Sequence, residues 1–247
     1  MFLINPYIYA TDAWTNLKSI SFDGVDEYLQ GSTITELSNV SAFSFSMWIT
    51  QPVTGGTDVI FNQRVDTTNK IIALYRGAAA AHGVNYISFD INNGTSSTYI
   101  YTAQNILLSG WTMLTFVYDG SLANADRLKI YRNNSILSTT TVGTIPTTTP
   151  TFTTEPIEIG GLSTGNSINA KMDELRIYDY ALTPTDKSDI YNSGCPKADA
   201  LSTLAVHNWR MGDDDTYPTI SDIGTGTATD LTMTNQESGD IVTDTPC

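Results

Sequence analysis

From Lys18 to Leu162 apolar residues fall in short runs that alternate with polar ones, and clusters of Gly, Asn, Pro and Thr separate the runs. Alternation with a period of two sets every second side chain on one face, the pattern of a half-buried strand. The runs KSISFD, AFSFSMWIT, DVIFNQ, KIIALYR, NYISFDI, STYIYT, WTMLTFVYD, RLKIYRN, SILSTTTV and PIEIGG are read as strands, and MDELRIYDY follows them. Such regular spacing predicts an all-β sandwich or barrel, not alternating strand–helix units. In WTMLTFVYDG, Leu114, Phe116 and Tyr118 share one face while Trp111, Met113 and Val117 share the other, as in a strand covered on both sides. In MDELRIYDY, Met172, Glu174, Arg176 and Tyr178 alternate with Asp173, Leu175, Ile177 and Asp179.

One helix stands out. Thr183 can cap it, Pro184 suits its first position, Asp186 falls at the third and Gly194 can close it, giving about three turns. The three-proline stretch TVGTIPTTTPTFTTEP reads as an extended surface connection. Beyond Gly194, LSTLAVHNWRM offers a further strand before a turn-rich acidic stretch. That tail is either a second small domain or a wrapping segment, and its few large apolar residues favour wrapping. MFLINPYIYATDAW is either an anchoring arm or the sandwich's first strand. The expected organisation is an N-terminal arm over 1–16, a β domain over 17–194 and an acidic extension over 195–247 packed on the sandwich.

Charge narrows the partners. The 247 residues carry 12 basic against 26 acidic side chains, a net of −14, which disfavours nucleic acid and anionic lipid. From Cys195 to Cys247 nine carboxylates stand against Lys197 and Arg210. Asp213, Asp214 and Asp215 there are expected to form a solvated acidic turn. The N-terminal stretch has neither a positive region nor a continuous apolar one, so it does not read as a secretory signal. No apolar run is long enough to span a bilayer, and no membrane insertion is expected. Cys195 and Cys247 can be bridged or free, and spacing does not choose.

Three phrases stand in order: SISFDGVDEYLQ, then WTMLTFVYDG with RLKIYRN, then MDELRIYDYALTP before the helix. That order resembles the laminin-G-like and pentraxin-like branch of the concanavalin A-like lectin/glucanase superfamily, over roughly Lys18 to Gly194. The resemblance implies an antiparallel jelly-roll β-sandwich, with one short helix after the last main strand, in which the first and last strands are neighbours. It also implies a structural calcium between the opening Asp-Gly turn and the start of the last strand, at Asp23 and Asp173, with Asp26 as an extra; the alternative is that Asp23 only holds its turn. The tail HNWRMGDDD…TMTNQESGDIV resembles C-terminal segments of similar domains in tailed-phage virion proteins. A virion protein folds in the host cytoplasm and then works outside, which fits a Thr-, Ser- and Tyr-rich chain without a recognisable export signal.

Chemistry is harder to find. Glucanases of this fold carry Glu-x-Asp-x-x-Glu on one strand, and no such strand is present. Asp173 and Glu174 are adjacent, so strand geometry is expected to point them to opposite faces. The histidines, His82 and His207, are isolated, no Gly-x-Ser-x-Gly elbow exists, and nothing has the spacing of a zinc site.

A binding surface is better supported. Asn93-Gly94 between two alternating runs is a strong hairpin signal. A two-residue turn there pairs Ile87 with Ile100, Ser88 with Tyr99 and Tyr86 with Tyr101, leaving Tyr86, Tyr99 and Tyr101 with Asp90 on one face. Aromatic rings beside hydrogen-bonding groups suit a sugar; the plainer alternative is that the tyrosines pack under loops or against another subunit. The expected protein is a non-enzymatic module on the exterior of a phage particle, in contact with other virion proteins, capable of homo-oligomer formation and able to touch host-surface glycans. The rivals are a glycan-cleaving enzyme of the same fold and a secreted adhesin.

Overall fold

The computed structural model describes residues 14–52, 56–77, 82–103, 106, 108, 110–201 and 203–247. Of the expected N-terminal arm, positions 1–13 therefore lie outside the described residues. The described residues form two antiparallel sheets packed face to face, as the strand pattern and the resemblance predict. The first, of eight strands, runs Ser135–Ile136, Leu128–Arg132, Thr112–Asp119, Ala42–Ile49, Asn169–Tyr178, Ser19–Asp23, Ile241–Val242, with His207–Trp209 also pairing to Asn169–Tyr178. The second, of nine, runs Thr139–Val142, Tyr99–Thr102, Tyr86–Asn93, Asn69–Arg76, Thr57–Arg64, Ile157–Ile159, Tyr28–Gly31, Leu231–Thr234, Thr219–Ile220.

Between the sheets the inward residues of each run interlock. Phe45 stacks on Phe61 and on Phe116 with ring centroids 4.5 Å apart in both pairs, and Phe89 meets Phe45 edge-on. Truncating such a buried ring costs about 3–5 kcal/mol. The first and last main strands are neighbours: Ile20 lies opposite Met172 and Phe22 opposite Ala170. Gly160 (φ 75) sits against Phe22, whose ring a Cβ would meet at 2.4 Å, so the backbone itself closes the core there.

The Thr112–Asp119 strand is covered on both sides. Leu114, Phe116 and Tyr118 enter the central core, while Met113 and Val117 lie in an outer cluster with Trp48, Leu182 and Ile190. The cover is the helix Pro184–Tyr191, whose N-terminus is the expected capping box: Asp186 N donates to Thr183 Oγ1 at 3.2 Å and Thr183 N to Asp186 Oδ2 at 2.9 Å. It ends sooner than expected. Asn192 adopts the left-handed conformation (φ 45) and its N–H bonds Ser188 O, so the helix has eight residues and Gly194 lies in the following turn.

Three expectations need correction. SILSTTTV is not one strand: Ser135–Ile136 pairs in the first sheet and Thr139–Val142 in the second, so the chain changes layers between them. The Thr- and Pro-rich stretch is not merely superficial, because Ile145, Thr149 and Phe152 are buried and Thr149 bonds Val40 and Leu37. The acidic turn is not simply solvated either: Asp213 is buried and accepts from Leu17 N at 3.0 Å, while Asp215 accepts from Gly212 N and Ser221 N.

After the helix the chain supplies strands to both sheets, pairing Leu231–Thr234 with Tyr28–Gly31 and Ile241–Val242 with Ser19–Asp23. Trp209 is fully buried and donates to Thr229 O. Cys195 and Cys247 are joined in a disulfide.

Candidate functional site

Alternation along Tyr86–Asn93 sends Ile87, Phe89 and Ile91 into the core and leaves Tyr86, Ser88, Asp90 and Asn92 on the outer face. The next strand presents Tyr99 and Tyr101 on the same face. Its register differs from the two-residue turn: Ser88 lies opposite Tyr101, Phe89 opposite Ile100 and Asp90 opposite Tyr99. The loop is longer because Asn92 and Thr98 close it with their side chains, Thr98 N and Oγ1 both donating to Asn92 Oδ1. A slip of two residues keeps each side chain on its face, so the aromatic grouping is unaffected.

On the other side, Asn69–Arg76 places Arg76 opposite Tyr86 and Ile72 opposite Asp90. Lys70 and Arg76 share the outer face with Ile72 and Leu74, which pack with Val59 and Leu162. These strands enclose a cavity of about 310 Å³ lined by Lys70, Arg76, His82, Tyr86, Ser88, Asp90 and Tyr99, with Thr67, Ser96 and Ser97 at the loops. Three of the four residues expected to bind ligand, Tyr86, Asp90 and Tyr99, line it. Tyr101 is not among the lining residues; its ring is stacked on His82 at 3.8 Å, and His82 Nε2 shares a 2.8 Å hydrogen bond with Tyr99 OH. The imidazole therefore fixes both rings.

Burial pushes the Asp90 carboxyl above its ordinary range, with Lys70 pulling it back from 3.4 Å. Asp90 Oδ1 and Ser88 Oγ are buried close to one another, and neither has a further protein hydrogen-bond partner. Such groups cost about 1–3 kcal/mol each unless something bonds them. Burial likewise raises the Tyr86 and Tyr99 hydroxyls, so both remain protonated donors at neutral pH. Asp90 is the one carboxylate among the lining residues, whereas hydrolysis of a glycosidic bond uses two about 5–9.5 Å apart.

A laminin G family profile, described as concanavalin A-like lectin/glucanases superfamily, matches residues 23–186. The chain belongs to that superfamily. Similar solved structures include a heptameric SAP-like pentraxin from Limulus polyphemus, 19% identical with a TM-score of 0.52, the match covering 71% of this chain and 82% of that one. Another is a Bacteroides ovatus protein provisionally described as carbohydrate binding, 15% identical with a TM-score of 0.62, over 90% of this chain and 60% of that one. At such identities the likeness speaks for the fold alone. No curated protein matches the chain.

Within this lectin-like sandwich the two residues expected to share a calcium are not brought together. Asp23 lies opposite Asn169, so Asp173 is four pair positions along the ladder, about 13 Å away. Asp23 is exposed and accepts from Val25 N, holding its own turn, while Asp173 is fully buried and accepts from Asn16 Nδ2 at 2.9 Å. Among the described residues no group of three His, Cys, Asp or Glu side chains converges as metal ligands would.

The expected opposition of Asp173 and Glu174 fails as well. A bulge between Asp173 and Arg176, with Glu174 at φ 49, restarts the alternation. Met172, Leu175 and Ile177 now share the core face, and Asp173 and Arg176 the other. Glu174 is bound by Arg176 Nη2 at 2.6 Å and flanked by Arg210 Nε at 3.5 Å. Asp173, Glu174 and Arg176 are all buried ionisable groups, and burial, then the Glu174 charge, pushes Asp173 well above the usual carboxylate range.

Proposed function

We propose that the chain is a non-enzymatic, lectin-like module that binds a glycan in the cavity on its nine-stranded sheet. The observation that carries this reading is the cavity itself, in which the half-buried ring of Tyr99 stands beside the polar groups of Lys70, Arg76, Ser88 and Asp90. Polar lining groups suit sugar hydroxyls and the ring suits an apolar sugar face. Tyr99→Ala and Asp90→Asn are expected to weaken glycan binding at least about tenfold, near 1.4 kcal/mol, without changing the fold. Calorimetric titration with glycans selected on an array measures it, and unchanged affinity in both variants overturns the site.

The setting proposed is the exterior of a phage particle, among other virion proteins. The tail phrase HNWRMGDDD and a disulfide suited to life outside a reducing cytosol support it. Mass spectrometry of purified particles tests the placement separately, since a chain missing from particles removes the setting and leaves the binding site.

A further inference from the structure

We infer that the ligand is an acidic glycan, a sugar bearing a carboxylate or sulfate, with the anion seated on Arg76 and a ring face on Tyr99. The inference rests on the glycan reading above and adds the charge of its ligand.

Charge distribution is the first ground. The whole chain has 12 basic and 26 acidic residues, yet two cations and one carboxylate line this cavity. A patch of local positive charge is thus held inside a molecule whose net charge of −14 repels anions at long range. A neutral sugar gives no reason for that arrangement.

The pairing of those charges is the second. Lys70 is taken by Asp90 at 3.4 Å. Arg76 donates from Nη1 to Thr57 Oγ1 at 3.1 Å, and among the described residues no carboxylate forms an ion pair with it. The guanidinium presents a planar fork whose remaining N–H groups match a carboxylate or sulfate edge in a way an ammonium does not. Position is the third. Arg76 lies opposite Tyr86 in the ladder, whereas Tyr99 lies opposite Asp90 toward the Lys70 end, so the two flank the cavity with Ser88 between them. An acidic substituent on Arg76 leaves the sugar ring to extend along the cavity toward Tyr99. A charge-assisted hydrogen bond here raises affinity about tenfold or more over the neutral analogue.

A glycan array carrying neutral, carboxylated and sulfated glycans, probed with the full chain at low salt, tests this. Hits confined to acidic glycans are expected, and the carboxylated and sulfated arms identify which anion is read. Arg76→Gln, which keeps a donor for Thr57, is expected to abolish those hits with an unchanged melting curve. Arg76→Lys recovers them only in part, and Lys129→Gln, an equal charge change on the other sheet, leaves them intact. Hits on neutral glycans at equal strength, or acidic hits surviving Arg76→Gln, overturn this inference and leave the glycan reading standing. An array without hits overturns both.

Discussion

Glu174 holds a left-handed backbone (φ 49) that costs a side-chain-bearing residue about 1 kcal/mol, and the ion pair with Arg176 holds it there. Both partners are almost wholly buried, at 3% and 4% exposure, so neither charge has water to fall back on. Arg176→Met is therefore expected to destabilise the fold by about 3–5 kcal/mol in urea titration, since Arg210 alone is left to answer Glu174. Adding Glu174→Gln to it restores part of the loss, because no unpaired buried charge remains. A single variant within about 1 kcal/mol of the parent rules out this role. The same residue shows the limit of reading faces from alternation: a bulge is one inserted residue, and Asp173-Glu174 carries no local mark of it. Tyr86, Asp90 and Tyr99 were legible because their parity survives a register slip of two. Arg76, Lys70 and His82 were not, since their place depends on which strand lies alongside. The mark that reveals the cations is KIIALYR itself, whose Lys70 and Arg76 share the parity of the outer face.

Elements on the C-terminal side depend on the bridge. Cys195 and Cys247 are 52 positions apart, and the strands Leu231–Thr234 and Ile241–Val242 lie inside the loop they close. Chain-entropy arguments put the gain from closing such a loop at about 4 kcal/mol. Replacing both cysteines by serine is expected to lower unfolding stability in guanidinium by about 2–4 kcal/mol, and to speed amide exchange first in Ile241–Val242, whose pairing spans only two residues. Equal exchange in both proteins contradicts that. The long strands were readable from sequence because eight alternating positions make a pattern. Leu231–Thr234, Thr219–Ile220 and Ile241–Val242 were not, for two to four residues carry no period and owe their extended form to the sheet edge they join. SILSTTTV failed differently: both halves favour strand, and only the three-dimensional path shows that they belong to different sheets.

For the whole molecule, buried carboxylates set the pH at which it is most stable. Burial raises Glu27 to about 7, Asp23 N–H opposing this at 2.7 Å and the Asp240, Asp23 and Asp26 charges adding to it. Burial also raises Asp90, Asp173, Glu174, Asp213 and Asp215. Each binds a proton in the folded chain that the unfolded chain has already released, so stability declines as pH climbs from the ordinary carboxylate range to the folded value. For Glu27 that window runs from 4.5 to about 7. Asp222 and Glu36 act oppositely. Burial raises them too, but backbone N–H groups and His207 outweigh it, so both end below their ordinary values and their contribution vanishes only in stronger acid. The net charge of −14 adds self-repulsion that eases as exposed carboxylates protonate. The melting temperature is accordingly expected to rise as pH is lowered from about 8 to about 5 and to fall again below about 4. Glu27→Gln, whose amide oxygen can still accept from Asp23 N, is expected to flatten the rise by raising stability at the alkaline end. A melting temperature that drops steadily from pH 8 to 5, or a Glu27→Gln profile parallel to the parent's, contradicts the assignment of Glu27 as an acid whose hold on its proton is strengthened by burial in the fold.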